Sequence, residues 1–191
     1  MKKVFLIGDS IRIGYDSVVR RLLDDEAQVF WSQDNARFAE YTLRYIKVWA
    51  TEDCDPASID LVHFNCGLWD IVHYYGDEML TPVDVYAMYL RRIIKRLHLI
   101  FPNAKLVFAL TTYVIEEHVC RPDFSRFNSD IEEINKVARK IMEENNIPVD
   151  DLYTVSREMP EEWHSPDGTH YMPEGYECLG RAVAEAIRKE L

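Results

Sequence analysis

Five apolar runs of strand length, each followed by a longer segment of helical period, constrain this chain more than any other feature. The runs are Val4–Ile7, Gln28–Trp31, Asp60–Asn65, Lys105–Leu110 and Pro148–Leu152. Apolar residues recur at helical spacing over Ile13–Leu23, Phe38–Val48, Pro82–Ile100, from Ser125 or Asn128 to Asn145, and from Pro173 to Leu191. Pro82 and Pro173 stand where a first helical turn tolerates proline. Continuous apolar strands need burial on both faces, and helices between them bring each strand back parallel to the last. The order βαβαβαβαβα therefore predicts an α/β fold with a parallel sheet covered on each side. No repeat or Gly/Ser-rich linker interrupts the 191 residues, 48% of them hydrophobic, so residues 1–191 are expected to form a single domain.

In such sheets ligands bind outside the carboxyl ends of the strands. That edge comprises Asp9–Ser10, Ser32–Arg37, Cys66–Gly76, Thr111–Pro122 and Tyr153–Met172. The last three segments exceed the usual connection of roughly 2–6 residues, which favours a functional edge over plain turns.

Charge narrows the partners. With 22 basic and 33 acidic residues, the formal net charge of −11 repels phosphate backbones and anionic lipid, so no nucleic-acid or membrane partner is expected. No run has the length of a membrane span. The opening Met1-Lys2-Lys3 and its short apolar run are cut by Gly8-Asp9, too early for a signal-peptide core, and a cytoplasmic location is expected. Cys54, Cys66, Cys120 and Cys178 form no C-x-x-C pair, which suits reduced thiols better than zinc. No metal or organic cofactor is expected, and no feature specifies an oligomeric state.

Three residues at the edge suit nucleophilic chemistry. Ser10 ends the first strand and starts a helix. Its hydroxyl suits a nucleophile, and its own N–H, at the positive end of the helix, suits a developing oxyanion. A helix-capping serine is the plain alternative. Asp167-Gly168-Thr169-His170 precedes the last helix. A serine needs a base at neutral pH. Histidine serves, and a carboxylate on its other nitrogen fixes the tautomer. The alternatives are a solvated loop or a metal site from His164, Asp167 and His170. The G-x-S-x-G elbow is absent, because Arg12 stands where its second glycine would be.

Gly8-Asp9-Ser10 followed by Ile11-Arg12-Ile13-Gly14-Tyr15, together with Asp167-Gly168-Thr169-His170 followed by Pro173-Glu174-Gly175-Tyr176, resembles the first and last blocks of the SGNH/GDSL hydrolases. The resemblance implies a three-layer α/β/α, flavodoxin-like fold with a five-stranded parallel sheet in the order 2-1-3-4-5. It also implies ester hydrolysis through an acyl-serine, with Ser10 as nucleophile, His170 as base and Asp167 as its orienter.

The middle blocks depart from that pattern. Asp34-Asn35-Ala36-Arg37 lacks the second-block glycine, so a backbone N–H of Ala36 or Arg37 is the expected substitute in the oxyanion hole. Gly67-Leu68-Trp69-Asp70 has Trp69 where the third-block Asn would stand. Asn65, two residues before Gly67, is the expected amide donor. Asp70 is expected to be structural, tying a loop or capping a helix. Asp9, Arg37, Trp69 and Tyr113 are the residues at this edge expected to touch substrate. Trp31, Tyr74, Tyr75 and Trp163 add rings suited to a sugar face or an acyl wall, and Arg37 and Arg121 suit an acidic ligand.

The resulting expectation is a serine esterase that removes short acyl groups, O-acetyl above all, from a carbohydrate ester. The alternatives are a lipid-acyl esterase or thioesterase, and a non-catalytic carbohydrate-binding domain on the same scaffold.

Overall fold

The computed structural model describes residues 1–191. In chain order the elements are β1 (Lys2–Ile7), α1 (Ser10–Leu22), β2 (Ala27–Trp31), α2 (Ala39–Ala50), β3 (Leu61–Phe64), β4 (His73–Tyr74) and α3 (Val83–Ile100). Then follow β5 (Lys105–Ala109), α4 (Glu116–Val119), β6 (Phe124–Ser125), α5 (Asn128–Glu144), β7 (Val149–Asp150), α6 (Leu152–Arg157) and α7 (Pro173–Glu190).

The main sheet runs β2-β1-β3-β5-β7, and every pair in it is parallel. This is the expected order 2-1-3-4-5 when its strands are counted alone. Helices α1 and α7 pack together on one face, while α2, α3 and α5 pack in succession on the other. Double coverage explains the sequence pattern: all of β3, Val4–Ile7 of β1 and Leu106–Ala109 of β5 are buried. Phe64 and Phe108 meet edge to face across neighbouring strands, with ring centroids 5.1 Å apart. No helix is long and apolar enough to cross a membrane.

Local capping moves some expected boundaries. Helix α1 begins at Ser10 rather than Ile13, because the Asp9 carboxylate accepts from the Ile11 N–H at 2.9 Å. The last strand keeps only Val149–Asp150. Asp151 then turns the chain into α6 by accepting from the Thr154 N–H. A second sheet, unmarked by any apolar run, pairs β4 with β6 in antiparallel fashion (His73 with Ser125, Tyr74 with Phe124). This ribbon ties the loop after β3 to the loop after β5.

Two glycines let α1 and α7 touch. A Cβ at Gly14 would lie 1.9 Å from Cε1 of the Tyr176 ring, and one at Gly180 would lie 2.5 Å from Val18 Cγ1. An aromatic ring cannot yield as a flexible chain end does. Gly14→Ala is therefore expected to cost about 1–3 kcal/mol of unfolding free energy in a denaturant titration, the usual size of an overpacking penalty. A variant as stable as the parent would show that the two helices are not held this closely.

Candidate active site

The β1–α1 corner presents Ser10. Asp9 is fully buried, its Oδ1 capping α1, and Ser10 is the first helical residue. The Ser10 N–H is thus one of the helix's unpaired amides, facing out at its positive end. Gly8 is required for a different reason. A Cβ there would sit 2.0 Å from Asn65 Oδ1 and 2.6 Å from Arg12 Cβ. The Asn65 amide therefore lies directly against the corner that carries Ser10.

Asp167 and His170 fold as a local unit. Asp167 Oδ1 accepts from the backbone N–H groups of Thr169 (2.8 Å) and His170 (2.9 Å). Its Oδ2 lies 2.6 Å from His170 Nδ1. Gly168 has φ +73°, and a Cβ on it would meet the Ile115 carbonyl at 2.5 Å, so only glycine suits this turn. The Gly168 carbonyl accepts from the Ile115 N–H at 2.8 Å, which fastens the turn to the loop after β5. That loop is fixed in turn by two asparagines of α5. Asn135 pairs with both backbone groups of Thr111, and Asn128 with both of Val114.

These pieces converge. His170 Nε2 lies 2.8 Å from Ser10 Oγ, across 160 residues of sequence. Burial pushes the Asp167 carboxyl up, but the hydrogen bonds from His170 and Thr169 outweigh it and hold the group below its usual range. The acid is thus ionised at neutral pH and faces Nδ1, which leaves Nε2 to accept the serine proton. The His170 and Asp167 side chains are 38% and 50% exposed, so this line of groups opens to solvent.

The second-block expectation is corrected. The Ala36 N–H donates to the Gly8 carbonyl at 3.0 Å, and the Arg37 N–H donates to Asn35 Oδ1 at 2.9 Å. Neither amide is free for an oxyanion. This loop is held from α1: buried Arg12, paired with Asp16 of the same helix, donates to Ser32 Oγ and the Asp34 carbonyl. Asn65 differs. Its side chain is buried against the Ser10 corner, its Oδ1 has no hydrogen-bond partner, and its amide is not tied into the surrounding loops.

The expected substrate contacts separate in the same way. Asp9 is sealed under the helix start and cannot touch a substrate. Burial outweighs its Ile11 N–H bond and the nearby Arg126, Arg12 and His170 charges, and raises its carboxyl. Tyr113 is half-buried and packs its ring 6.2 Å from that of Tyr153 and 6.4 Å from that of His164. Arg37 is exposed, with φ +50°, and lies over the Tyr41 ring at 4.7 Å. Trp69 is half-buried, 5.9 Å from the guanidinium of Arg126. His164 turns inward, its Nε2 3.2 Å from the Ser156 carbonyl, and no group of three or more His, Cys, Asp or Glu side chains is arranged to hold a metal ion.

Arg126 is the site residue that the sequence did not single out. Its Nε donates to the Leu68 carbonyl at 2.8 Å and its Nη1 to Thr169 Oγ1 at 3.1 Å. It thereby joins the loop after β3 to the turn that carries His170. Only its place in the three-dimensional edge marks it.

With this geometry in view, the chain belongs to the GDSL-like lipase/acylhydrolase family, whose model matches residues 6–178. Membership makes it an ester-hydrolysing enzyme rather than a binding module. A lipase/acylhydrolase from Enterococcus faecalis superposes with a TM-score of 0.77 at 25% identity, covering 99% of this chain and 96% of its own. A candidate arylesterase from Agrobacterium tumefaciens str. C58 gives 0.76 at 20% identity, with 100% of both chains covered. The acetyl xylan esterase AlAXEase gives 0.73 at 17% identity, covering 97% of this chain and 99% of its own. Comparison with curated proteins finds no match.

Asp70 supports the edge from beneath. Fully buried, it accepts from the Ala39 N–H with both oxygens at 3.1 Å, capping α2, whose own Phe38 supplies no side-chain cap. Burial pushes its carboxyl up to about 7, against the pull of the Ala39 and Thr81 donors. An unfolded aspartate titrates at about 3.9, so folding takes up a proton between those values, and this group's contribution falls as pH rises through that window. Asp70→Asn, which keeps an acceptor for Ala39, is expected to flatten that part of the stability-against-pH curve. An unchanged slope would contradict the raised carboxyl.

Proposed function

We propose that this esterase works through an acyl-serine and removes short acyl groups, O-acetyl in the first place, from a carbohydrate. The observation that carries the reading is the unbroken line Ser10 Oγ–His170 Nε2–Nδ1–Asp167 Oδ2, with links of 2.8 and 2.6 Å, beside the free N–H of Ser10. Ser10 Oγ attacks the ester carbonyl as His170 Nε2 takes its proton. Asp167 stabilises the imidazolium without taking that proton. The tetrahedral oxyanion accepts from the Ser10 N–H and from Asn65 Nδ2. Collapse sends the His170 proton to the departing sugar alkoxide and leaves the acyl group on Ser10. Water, deprotonated by His170, then frees the acid and restores the serine.

The open flank of His170 and Asp167 supports a bulky polar alcohol, to which it gives room in solvent. Likeness in fold to AlAXEase is consistent with this choice.

Nucleophile and base are expected to act as one unit. Ser10→Ala and His170→Ala should each lower kcat by on the order of 10⁴-fold or more, and the double variant little further. Near-normal turnover by folded Ser10→Ala protein would reject the acyl-serine route. Asn65→Ala should lower kcat by roughly 10²–10³-fold with a much smaller change in KM, because the donor acts on charge that develops only in the transition state. A loss below about threefold would place the second donor elsewhere, with the Trp69 indole next in line. Among acetyl, butyryl and octanoyl esters of one alcohol, kcat/KM should fall as the chain lengthens. A rise towards octanoyl would favour the lipid-acyl reading.

A further inference from the structure

Arg126 is a buried cation at the catalytic edge without a carboxylate in contact. The residue is 6% exposed. Two of its nitrogens are used, Nε by the Leu68 carbonyl and Nη1 by Thr169 Oγ1. Its Nη2 makes no hydrogen bond within the protein, and unlike a sealed atom it still meets solvent. Arg12, the other buried arginine, shows the contrast: its Nη1 pairs with Asp16 at 2.9 Å and its Nη2 reaches Ser32 and the Asp34 carbonyl. A buried guanidinium is expensive to leave partly unsatisfied, and arginine is the side chain best shaped to meet a carboxylate.

Its place is defined by neighbours on three loops. Thr169, which takes its Nη1, precedes His170, whose Nε2 is 2.8 Å from Ser10 Oγ. Trp69 lies 5.9 Å from its guanidinium and Phe124 of the ribbon lies 4.9 Å from it. Tyr74 stacks edge-on against Phe124 at 5.8 Å, and Arg121 lies over the same Phe124 ring at 5.8 Å. Burial lowers the Arg126 guanidinium to about 10, with Asp9, Tyr74 and Asp167 opposing the drop, so it is cationic at neutral pH. Aromatic faces beside a fixed cation suit a sugar ring that carries an anionic group. The net charge of −11 repels such a molecule at long range, but that field is screened beyond about 8–10 Å, whereas direct contact with a mostly buried cation is screened much less.

We propose that Arg126 is a specificity-determining residue whose free Nη2 takes the carboxylate of an acidic sugar, so that the preferred ester is an acylated uronic-acid-type carbohydrate. This rests on the carbohydrate reading above and names the sugar class.

The test uses monoacetylated methyl glucuronoside and the matching glucuronamide, a near-isosteric pair in which the charged, acceptor-only carboxylate becomes a neutral amide. The parent enzyme is expected to favour the carboxylate by about tenfold or more in kcat/KM, the effect of one charge-assisted hydrogen bond. Arg126→Met should bring the ratio near one, and Arg126→Lys should retain part of it. Because Arg126 also bonds Leu68 and Thr169, both variants are expected to lose activity on either ester. The ratio cancels that common loss. Should neither variant fold, the parent ratio decides, together with inhibition by free methyl glucuronoside against free glucuronamide, where the acid is expected to bind at least several-fold tighter. Equal or better turnover of the amide by the parent enzyme would overturn the role of Arg126 while leaving the carbohydrate esterase intact. Failure to cleave either sugar, with simple acetyl esters still hydrolysed, would overturn the carbohydrate reading itself.

Discussion

A parallel sheet buried on both faces leaves one place for polar side chains from distant segments to meet, the edge where its strands end. Here β1, β3, β5 and β7 all run towards that edge in register. Ser10 follows β1, Asn65 follows β3, Arg126 lies in the connection after β5, and Asp167 and His170 follow β7. The 2.8 Å contact between Ser10 and His170 is thus a property of the sheet before it is a property of either loop. A helix-covered sheet also keeps the edge rigid, because the strands beneath it have no freedom to shift within their packed faces.

The loops at that edge are held by polar side chains acting as substitutes for secondary structure. Asn135 and Asn128 each pair with a backbone N–H and carbonyl, as a neighbouring strand would. Asp70 caps a helix from another loop, and Asp167 shapes its own turn with one oxygen while its other meets His170. Arg12 does the same for the loop after β2. In that loop the departure from the family pattern has a definite consequence. The Ala36 N–H is spent on the Gly8 carbonyl, so the oxyanion donors proposed above are the Ser10 N–H and the Asn65 amide instead.

Much of this was legible in the sequence, and the remainder fails for physical reasons. Long apolar runs reveal buried strands, so the five strands of the main sheet were readable. The ribbon of His73–Tyr74 with Phe124–Ser125 was not, because two-residue strands carry no period. Asp9 reads from sequence as a polar residue beside a nucleophile. Only the position of its carboxylate over Ile11 shows that it is a cap. Tyr113 likewise shares the edge in sequence but turns its ring to Tyr153 and His164. Arg126 was invisible for the opposite reason: nothing in its neighbourhood distinguishes it from exposed Arg121 until burial and hydrogen bonding are known.

The central claim is that the ester's acyl group passes through Ser10. The most direct measurement is to mix the enzyme with an activated acetyl ester, quench in acid within the first turnovers, and map the modified residue by peptide mass spectrometry. The account predicts one acetyl group, carried on the peptide containing Ser10, appearing as fast as the first equivalent of alcohol and vanishing as substrate runs out. Rapid turnover with the label on another side chain, or a label on Ser10 that forms and decays too slowly to carry the flux, would contradict it.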